Sequence, residues 1–176
     1  MLFTFIAAIA LGTLPLLTTA LPTDTPVTSV AAAGAHNIYL VTCVPRSRKN
    51  DDDRPDTGAQ NFTAVAYFRK PINNGDLDDG LPKPNKAALI SQPPEAWEGA
   101  KWKAKVWRNE LFSADIAAGA NTLTKGAIAG SVKLADEDYA CFKDGETAIR
   151  IREDDLRGKC VADYWCAGLG GTDDGN

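Results

Sequence analysis

The sequence contains one histidine, His36, among 176 residues, and this limits the catalytic mechanisms that the chain can support. A serine or cysteine nucleophile needs a base such as histidine, and no Gly-x-Ser-x-Gly turn is present to carry a nucleophilic serine. Carboxylate chemistry stays open, since two acids can hydrolyse a glycoside and a His-Glu-Arg set can cleave RNA. The candidates are His36 with Glu98 and Arg108, and the further carboxylates Glu95 and Glu110. We interpret His36 as a polar residue at the start of a strand, and we expect no catalytic residue.

Two acidic runs could bind calcium through loop carboxylates. They are Asp51-Asp52-Asp53 and the set Asp76, Asp78 and Asp79. The second run has the alternation of an EF-hand loop, but Asp79 occupies the position of the turn glycine, and no bidentate glutamate follows at the required distance. A zinc site of histidine and cysteine ligands is not expected if the cysteines are paired. The sequence therefore predicts solvated loops, no metal site and no cofactor.

A basic, aromatic stretch lies between Trp97 and Arg108 and alternates in the way of a half-buried strand. One face carries Trp102, Ala104 and Val106, and the other face carries the lysines and Trp107. The candidate binding residues are Lys101, Lys103, Lys105, Trp107 and Arg108. Aromatic rings beside cations suit sugars or single-stranded nucleic acid, whereas the alternative is a solvated lysine face that discourages edge pairing. We expect the partner to be an extracellular protein or a glycan.

The four cysteines are Cys43, Cys141, Cys160 and Cys166. An even number of cysteines in a secreted chain most simply forms two disulfides. Asn61-Phe62-Thr63 is an acceptor triplet for N-glycosylation at the end of a polar loop. We therefore predict that Asn61 carries a glycan.

The first twenty residues have the pattern of a secretory signal peptide. Residues 2–17 are almost wholly apolar, and Thr18-Thr19-Ala20 supplies the small residues of a cleavage site after Ala20. The alternative, an N-terminal membrane anchor, is disfavoured by Pro15 and by the short apolar run. The sequence predicts a signal peptide (1–20), a flexible arm (21–34), a β domain (35–169) and a disordered tail (170–176). The mature chain is expected to be secreted and extracellular, with no membrane span.

The net charge is −4, so the chain as a whole has no attraction for nucleic acid or for anionic lipid. We accordingly expect no nucleic-acid partner.

Short β-branched or alternating runs, separated by Gly, Pro, Asn and Asp, predict strands throughout the domain. The predicted strands are 38–44, 63–69, 87–91, 101–107, 111–116 and 127–134, followed by a hairpin over 139–152. No run has the period or the length of a convincing helix. This pattern predicts an all-β protein, a single-domain antiparallel β-sandwich or barrel with two disulfides.

Asp144-Gly145 between two alternating runs predicts a two-residue hairpin that places Cys141 opposite Ala148. If the chain from Lys159 onward forms the next strand of a meander, Cys160 and Cys166 lie two strands from Cys141, about 10 Å away. A disulfide needs Cα atoms within about 7 Å. The meander therefore favours Cys43–Cys141 with Cys160–Cys166, while the other two pairings stay open.

Six ordered segments carry a resemblance that spans residues 36–168. They are His36-Asn-Ile-Tyr-Leu-Val-Thr-Cys-Val-Pro, Thr63-Ala-Val-Ala-Tyr-Phe-Arg, Trp97-Glu-Gly, Ala127-Ile-Ala-Gly-Ser, Tyr139-Ala-Cys-Phe-Lys-Asp-Gly and Cys160-Val-Ala-Asp-Tyr-Trp-Cys. Together they resemble uncharacterised small secreted cysteine-containing proteins of filamentous ascomycete fungi. The resemblance implies a secreted fungal protein of effector or allergen type, and it brings no activity that could be assigned to a residue.

These observations predict a secreted, non-enzymatic binding protein, effector-like, that acts at a host or competitor surface. One alternative is a carbohydrate-binding or cell-wall-binding module that uses the same basic, aromatic stretch. The other is a small secreted hydrolase or RNase.

Overall fold

The computed structural model describes residues 36–46, 58–72, 77–78, 80–153 and 155–170. All of them belong to one compact unit, Ala31–Asn176. The predicted signal peptide, the predicted arm and the predicted tail beyond residue 170 lie outside the described residues. So do the side chains of both acidic runs that were considered for calcium.

Within the described ranges the chain forms eleven β-strands and one short 3-10 turn, Ala120–Thr122. The strands are β1 (Asn37–Pro45), β2 (Phe62–Phe68), β3 (Leu77–Asp78), β4 (Leu81–Pro82), β5 (Lys86–Ser91), β6 (Lys101–Val106), β7 (Glu110–Ile116), β8 (Ile128–Leu134), β9 (Glu137–Lys143), β10 (Ala148–Arg152) and β11 (Arg157–Gly168). β3 and β4 pair with each other, and the other nine form one antiparallel sheet that is nearly closed into a barrel. The all-β prediction is confirmed, and the structure selects the barrel over the sandwich.

The six strands predicted before the hairpin are all present, each within one residue of its predicted ends. The alternation that predicted them is visible in β6, where exposed and more buried residues alternate from Lys101 to Ala104 and a buried residue ends the strand. In the described part of the chain, no helix has the length and apolar character needed to cross a membrane.

β11 is the strand on which the sheet is centred. The order of the sheet is β5-β2-β1-β11-β9-β8-β7-β6, and β10 pairs with β11 beside that path. β1 runs along one side of β11, from Asn37 opposite Ala167 to Pro45 opposite Gly158. On the other side, the first part of β11 pairs with β10 and the last part pairs with β9. β9 and β10 therefore follow each other along the same side of β11.

This arrangement contradicts the predicted Asp144-Gly145 hairpin, because β9 and β10 do not pair with each other. The backbone N–H groups of Asp144 and Gly145 donate to carbonyl oxygens of β11 at 3.0 and 2.7 Å. The Asp144 Oδ1 atom accepts a hydrogen bond from the N–H of Thr147 at 3.0 Å. The chain thus bulges at this point and continues in the same direction. β11 is twelve residues long, so it offers a partner to both short strands, and this tertiary pairing outweighs the local turn preference.

Both disulfides are present, but their pairing differs from the one favoured by the sequence. Cys43 is bonded to Cys160 and Cys141 to Cys166, with Cα separations of 4.0 and 3.9 Å. Each bond joins two residues that lie directly opposite on neighbouring strands, β1 with β11 and β9 with β11. The favoured pairing, Cys43–Cys141 with Cys160–Cys166, is wrong because it assumed the meander. β9 is adjacent to β11, so Cys166 faces Cys141 directly.

The alternation along the strands sorts the apolar side chains into two cores. The core inside the barrel includes Ile38, Leu40, Val65, Trp97, Phe112, Ile116, Tyr139, Cys141, Tyr164 and Cys166. The second core lies on the other face of β1, β2, β10 and the first part of β11, and it includes Tyr39, Val41, Cys43, Phe62, Ala64, Ile149, Ile151 and Cys160. β1 and β2 contribute to both cores. This explains why their sequences are nearly continuous apolar runs.

Candidate functional site

The exposed lysines of β6 form the most regular charged feature of the barrel surface. Lys101, Lys103 and Lys105 alternate with inward residues that pack against the barrel core, and all three are exposed. β6 is the last strand of the sheet and, among the strands that the structure describes, pairs only with β7. Its other side has no ladder partner among those strands. We call these three residues the lysine edge.

The three lysines differ in their electrostatic partners. Lys101 Nζ lies 3.1 Å from Asp115 Oδ2, and both side chains are more than half exposed, so the pair contributes little to stability. Lys103 stands opposite Ser113 and Lys105 opposite Leu111 on β7. Among the residues that the structure describes, neither of these two lysines makes an ion pair. Two cations of the lysine edge are therefore available to an anionic partner.

A shallow groove of about 270 Å³ runs from the lysine edge across β7 and β8. Its polar lining includes Lys101, Lys103, Ser113, Asp115, Ser131 and Lys133. Lys133 Nζ is 3.1 Å from Asp138 Oδ1 on β9, again on the surface. The two serines could not be placed in this groove from the sequence, because their position depends on the pairing register of β7 with β6 and β8.

Trp107 does not share the outward face of the lysines, although the alternation predicted that it would. β6 ends at Val106, and the next residues turn toward β7 with positive φ angles at Arg108 (48°) and Asn109 (68°). The Trp107 Nε1–H donates to the carbonyl of Ala87 on β5 at 2.9 Å. The indole therefore spans the gap between the two end strands of the sheet. Arg108 is exposed at the tip of this turn.

Two further contacts hold the Trp107 indole in this gap. The Tyr67 ring lies 5.8 Å away between centroids, and Lys86 Nζ is 5.5 Å from the indole centroid. Lys86 Nζ also lies 3.9 Å from Glu110 Oε1. Trp107 therefore connects β5 with the turn between β6 and β7, and part of its side chain remains exposed to solvent.

In the described part of the chain, the first set proposed for acid–base chemistry shows no contact between its members His36, Glu98 and Arg108. His36 Nδ1 lies 3.0 Å from Glu137 Oε2, and the Tyr139 hydroxyl donates to the same oxygen at 2.6 Å. Burial raises the pKa of the Tyr139 phenol, and Glu137 raises it further, so this hydroxyl stays protonated. Glu98, the predicted partner of His36, instead bonds the Tyr164 hydroxyl. Glu137 thus holds the start of β1 against β9, and the set of His36, Glu98 and Arg108 does not form.

A polar cluster surrounds Asp163, the unpaired residue at the point where β11 shifts register against β1. The Thr42 hydroxyl donates to Asp163 Oδ2 at 2.7 Å, and Lys143 Nζ donates to the Asp163 carbonyl oxygen at 3.1 Å. Lys143 Nζ also lies 4.9 Å from the Tyr164 ring centroid. Burial raises the pKa of the Asp163 carboxyl, the Thr42 hydrogen bond and Lys143 oppose this shift, and Glu98 adds to it. No pattern in the sequence predicts this cluster, because the bulge that creates it depends on tertiary pairing.

Asn61, the predicted glycosylation site, is exposed immediately before β2. Within the described residues, no group of three or more His, Cys, Asp or Glu side chains is arranged to hold a metal ion.

No protein-family model, no curated protein and no solved structure matches this chain. Its fold, its charges and its contacts therefore carry the functional argument.

Proposed function

We propose that the chain is a secreted, non-enzymatic binding protein of effector type that acts at the surface of a host or of a competing organism. The observation that carries this proposal is the lysine edge, where Lys103 and Lys105 are exposed on the last strand of a disulfide-bonded barrel and have no ion pair with any residue that the structure describes. The two disulfides are compatible with an extracellular protein and support this part of the proposal.

The partner that fits the lysine edge best is an acidic protein segment in an extended conformation. An end strand has main-chain N–H and C=O groups to which an added strand can bond, and the side chains of that strand provide specificity. Carboxylates on such a segment would face Lys103 and Lys105. A second copy of β6 would bring lysine against lysine, which is unfavourable across strands. The charge pattern therefore favours a different, acidic partner over self-association.

A charge-reversal variant tests this proposal. We expect the mature protein to bind a fluorescent poly-glutamate peptide, with an affinity that falls as salt is added. Lys103→Glu combined with Lys105→Glu should weaken the binding at least tenfold, equivalent to about 1.4 kcal/mol, because two attractive contacts become repulsive. Fluorescence anisotropy measured at two salt concentrations gives both results.

The matched control reverses two exposed lysines elsewhere on the chain, Lys70→Glu with Lys83→Glu, and so gives the same change of net charge. Binding that falls equally in both double variants would show that only net charge matters. That outcome would remove the lysine edge as the recognition site.

A carbohydrate-binding module is the second candidate, and the groove beside the lysine edge is the observation that favours it. Ser113 and Ser131 bring hydroxyl groups next to charges of both signs, a lining that can bond sugar hydroxyls. The test is retention of the protein on insoluble chitin or β-glucan. Retention that Ser113→Val abolishes, and that the Lys103 and Lys105 reversal leaves unchanged, would replace the acidic protein partner with a wall glycan.

A further inference from the structure

A second cationic surface lies on three other strands, β1, β10 and β11, where the register places like charges side by side. Arg152 is opposite Arg157 and Arg150 is opposite Lys159 in the pairing of β10 with β11. Arg46 follows β1, and its backbone N–H donates to the Arg157 carbonyl oxygen at 3.1 Å. Arg46 thus lies opposite Arg157, next to the paired residues Pro45 and Gly158. Directly opposed residues project from the same face of a sheet. These five cations therefore share one face.

Like charges that face each other across strands destabilise a sheet unless anions lie between them. Arg150 and Arg152 are engaged in contacts of their own, which leaves Arg46, Arg157 and Lys159 as the cations considered for the site. Among the residues that the structure describes, no carboxylate pairs with Arg46, Arg157 or Lys159.

The two arginines are also incompletely satisfied as hydrogen-bond donors. The Nε atoms of Arg46 and Arg157 are shielded from solvent and have no acceptor within the described ranges. Both residues are half-buried, and Lys159 beside them is exposed. A half-buried guanidinium without a counter-ion has an uncompensated desolvation cost. An anion that contacts its terminal nitrogens offsets that cost through charge attraction and bidentate hydrogen bonds.

We propose that Arg46, Arg157 and Lys159 form a binding site for a tetrahedral oxyanion, a phosphate or sulfate group. Planar guanidinium groups match the oxygen pairs of such anions, and Lys159 adds a point charge at the open side of the face. The exposed Val44 lies directly opposite Lys159 and brings no competing acid to the site. The site uses strands separate from the lysine edge, so it is independent of the proposed acidic partner.

The test is a titration of the full mature protein with inorganic phosphate and with inorganic sulfate, followed by amide chemical shifts in NMR. Sodium chloride at matched ionic strength is the control ion. We expect saturable shifts, centred on β11 around Arg157 and Lys159, for at least one of the two oxyanions and not for chloride. Equal, non-saturating shifts with all three salts would show simple screening and would overturn the proposal.

Two double variants separate this site from the lysine edge. Arg46→Gln with Arg157→Gln should weaken oxyanion binding at least tenfold, whereas Lys103→Gln with Lys105→Gln should leave it unchanged. The reverse pattern is expected for poly-glutamate, so failure of one proposal does not imply failure of the other. Undiminished oxyanion binding by the arginine variant would also overturn the proposal.

Thermal unfolding supplies a further measurement that does not need a ligand. Removal of the two arginines relieves repulsion, so the variant should melt at the same temperature as the native chain or higher at low salt. Added phosphate should raise the melting temperature of the native chain only. A large fall in the melting temperature of the variant at low salt would mean that the arginines already have their counter-ions within the protein.

Discussion

Trp107 is the first residue after β6, and its indole nitrogen reaches the carbonyl oxygen of Ala87 on β5 at 2.9 Å. The sequence predicted Trp107 on the lysine face because strict alternation was extended one residue too far. The end of β6 at Val106 and the two positive φ angles that follow send the side chain into the gap between the end strands. Trp107, which was expected to bind a partner, therefore connects the two end strands of the barrel.

The substitution Trp107→Phe keeps an aromatic ring in the gap and removes the N–H donor. We expect it to lower the free energy of unfolding by about 1 kcal/mol, because the hydrogen bond to Ala87 is lost. We expect it to leave poly-glutamate binding unchanged. Urea denaturation and anisotropy measure the two effects, and a loss of binding without a loss of stability would return Trp107 to the recognition surface.

Asp163 gives a second prediction for a single residue, one that concerns pH. Its carboxyl pKa is raised mainly by burial, so the folded protein holds a proton on it more tightly than the unfolded chain does. The unfolded group titrates near its ordinary pKa of about 3.9. The contribution of Asp163 to stability is therefore greatest below that pH and declines as pH rises through the folded pKa.

Asp163→Asn retains an oxygen that can accept the Thr42 hydrogen bond and removes the charge. We expect this variant to be more stable than the native protein at pH 7 and equal to it at pH 3. Urea denaturation at these two pH values measures the difference. A variant that is less stable at pH 7 would show that the attraction of Lys143 outweighs the effect of burial.

At the scale of elements, the strands could be predicted from the sequence and their pairing could not. The alternation of Lys101 to Val106 defines β6 locally, because the side-chain period of a strand is two residues. Asp144-Gly145 is an equally local signal, and it failed because β11 accepts both β9 and β10 along one side. The grouping of Arg46, Arg157 and Lys159 and the position of the serines in the groove depend on register across distant strands, for which a single sequence carries no direct signal.

The two disulfides differ in the length of chain that they close, and this difference gives a prediction for the elements that they join. Cys43–Cys160 has a sequence separation of 117 residues and Cys141–Cys166 one of 25. The chain-entropy relation assigns them about 4.9 and about 3.5 kcal/mol. The double variant Cys43→Ala with Cys160→Ala should therefore unfold more easily than Cys141→Ala with Cys166→Ala, by about 1.4 kcal/mol. Urea denaturation of the two variants side by side tests the order, and the opposite order would show that packing around Cys141 and Cys166 dominates.

At the scale of the whole molecule, a net charge of −4 coexists with local groups of cations. In the described part of the chain, Lys103 and Lys105 on the lysine edge, and Arg46, Arg157 and Lys159 on different strands, make no ion pair. The negative net charge excludes a global attraction for polyanions, but local surfaces can still attract anions. Both proposed recognition sites are of this local kind.

The Cys43–Cys160 bond determines whether the chain separates into fragments after a peptide bond is hydrolysed. Every backbone position from residue 44 to residue 159 lies inside the covalent ring that this bond closes. A single cleavage there by a protease leaves the two fragments tethered to each other. β1 and β11 remain side by side in the nicked molecule, so the fragments separate only when a reductant opens the bond.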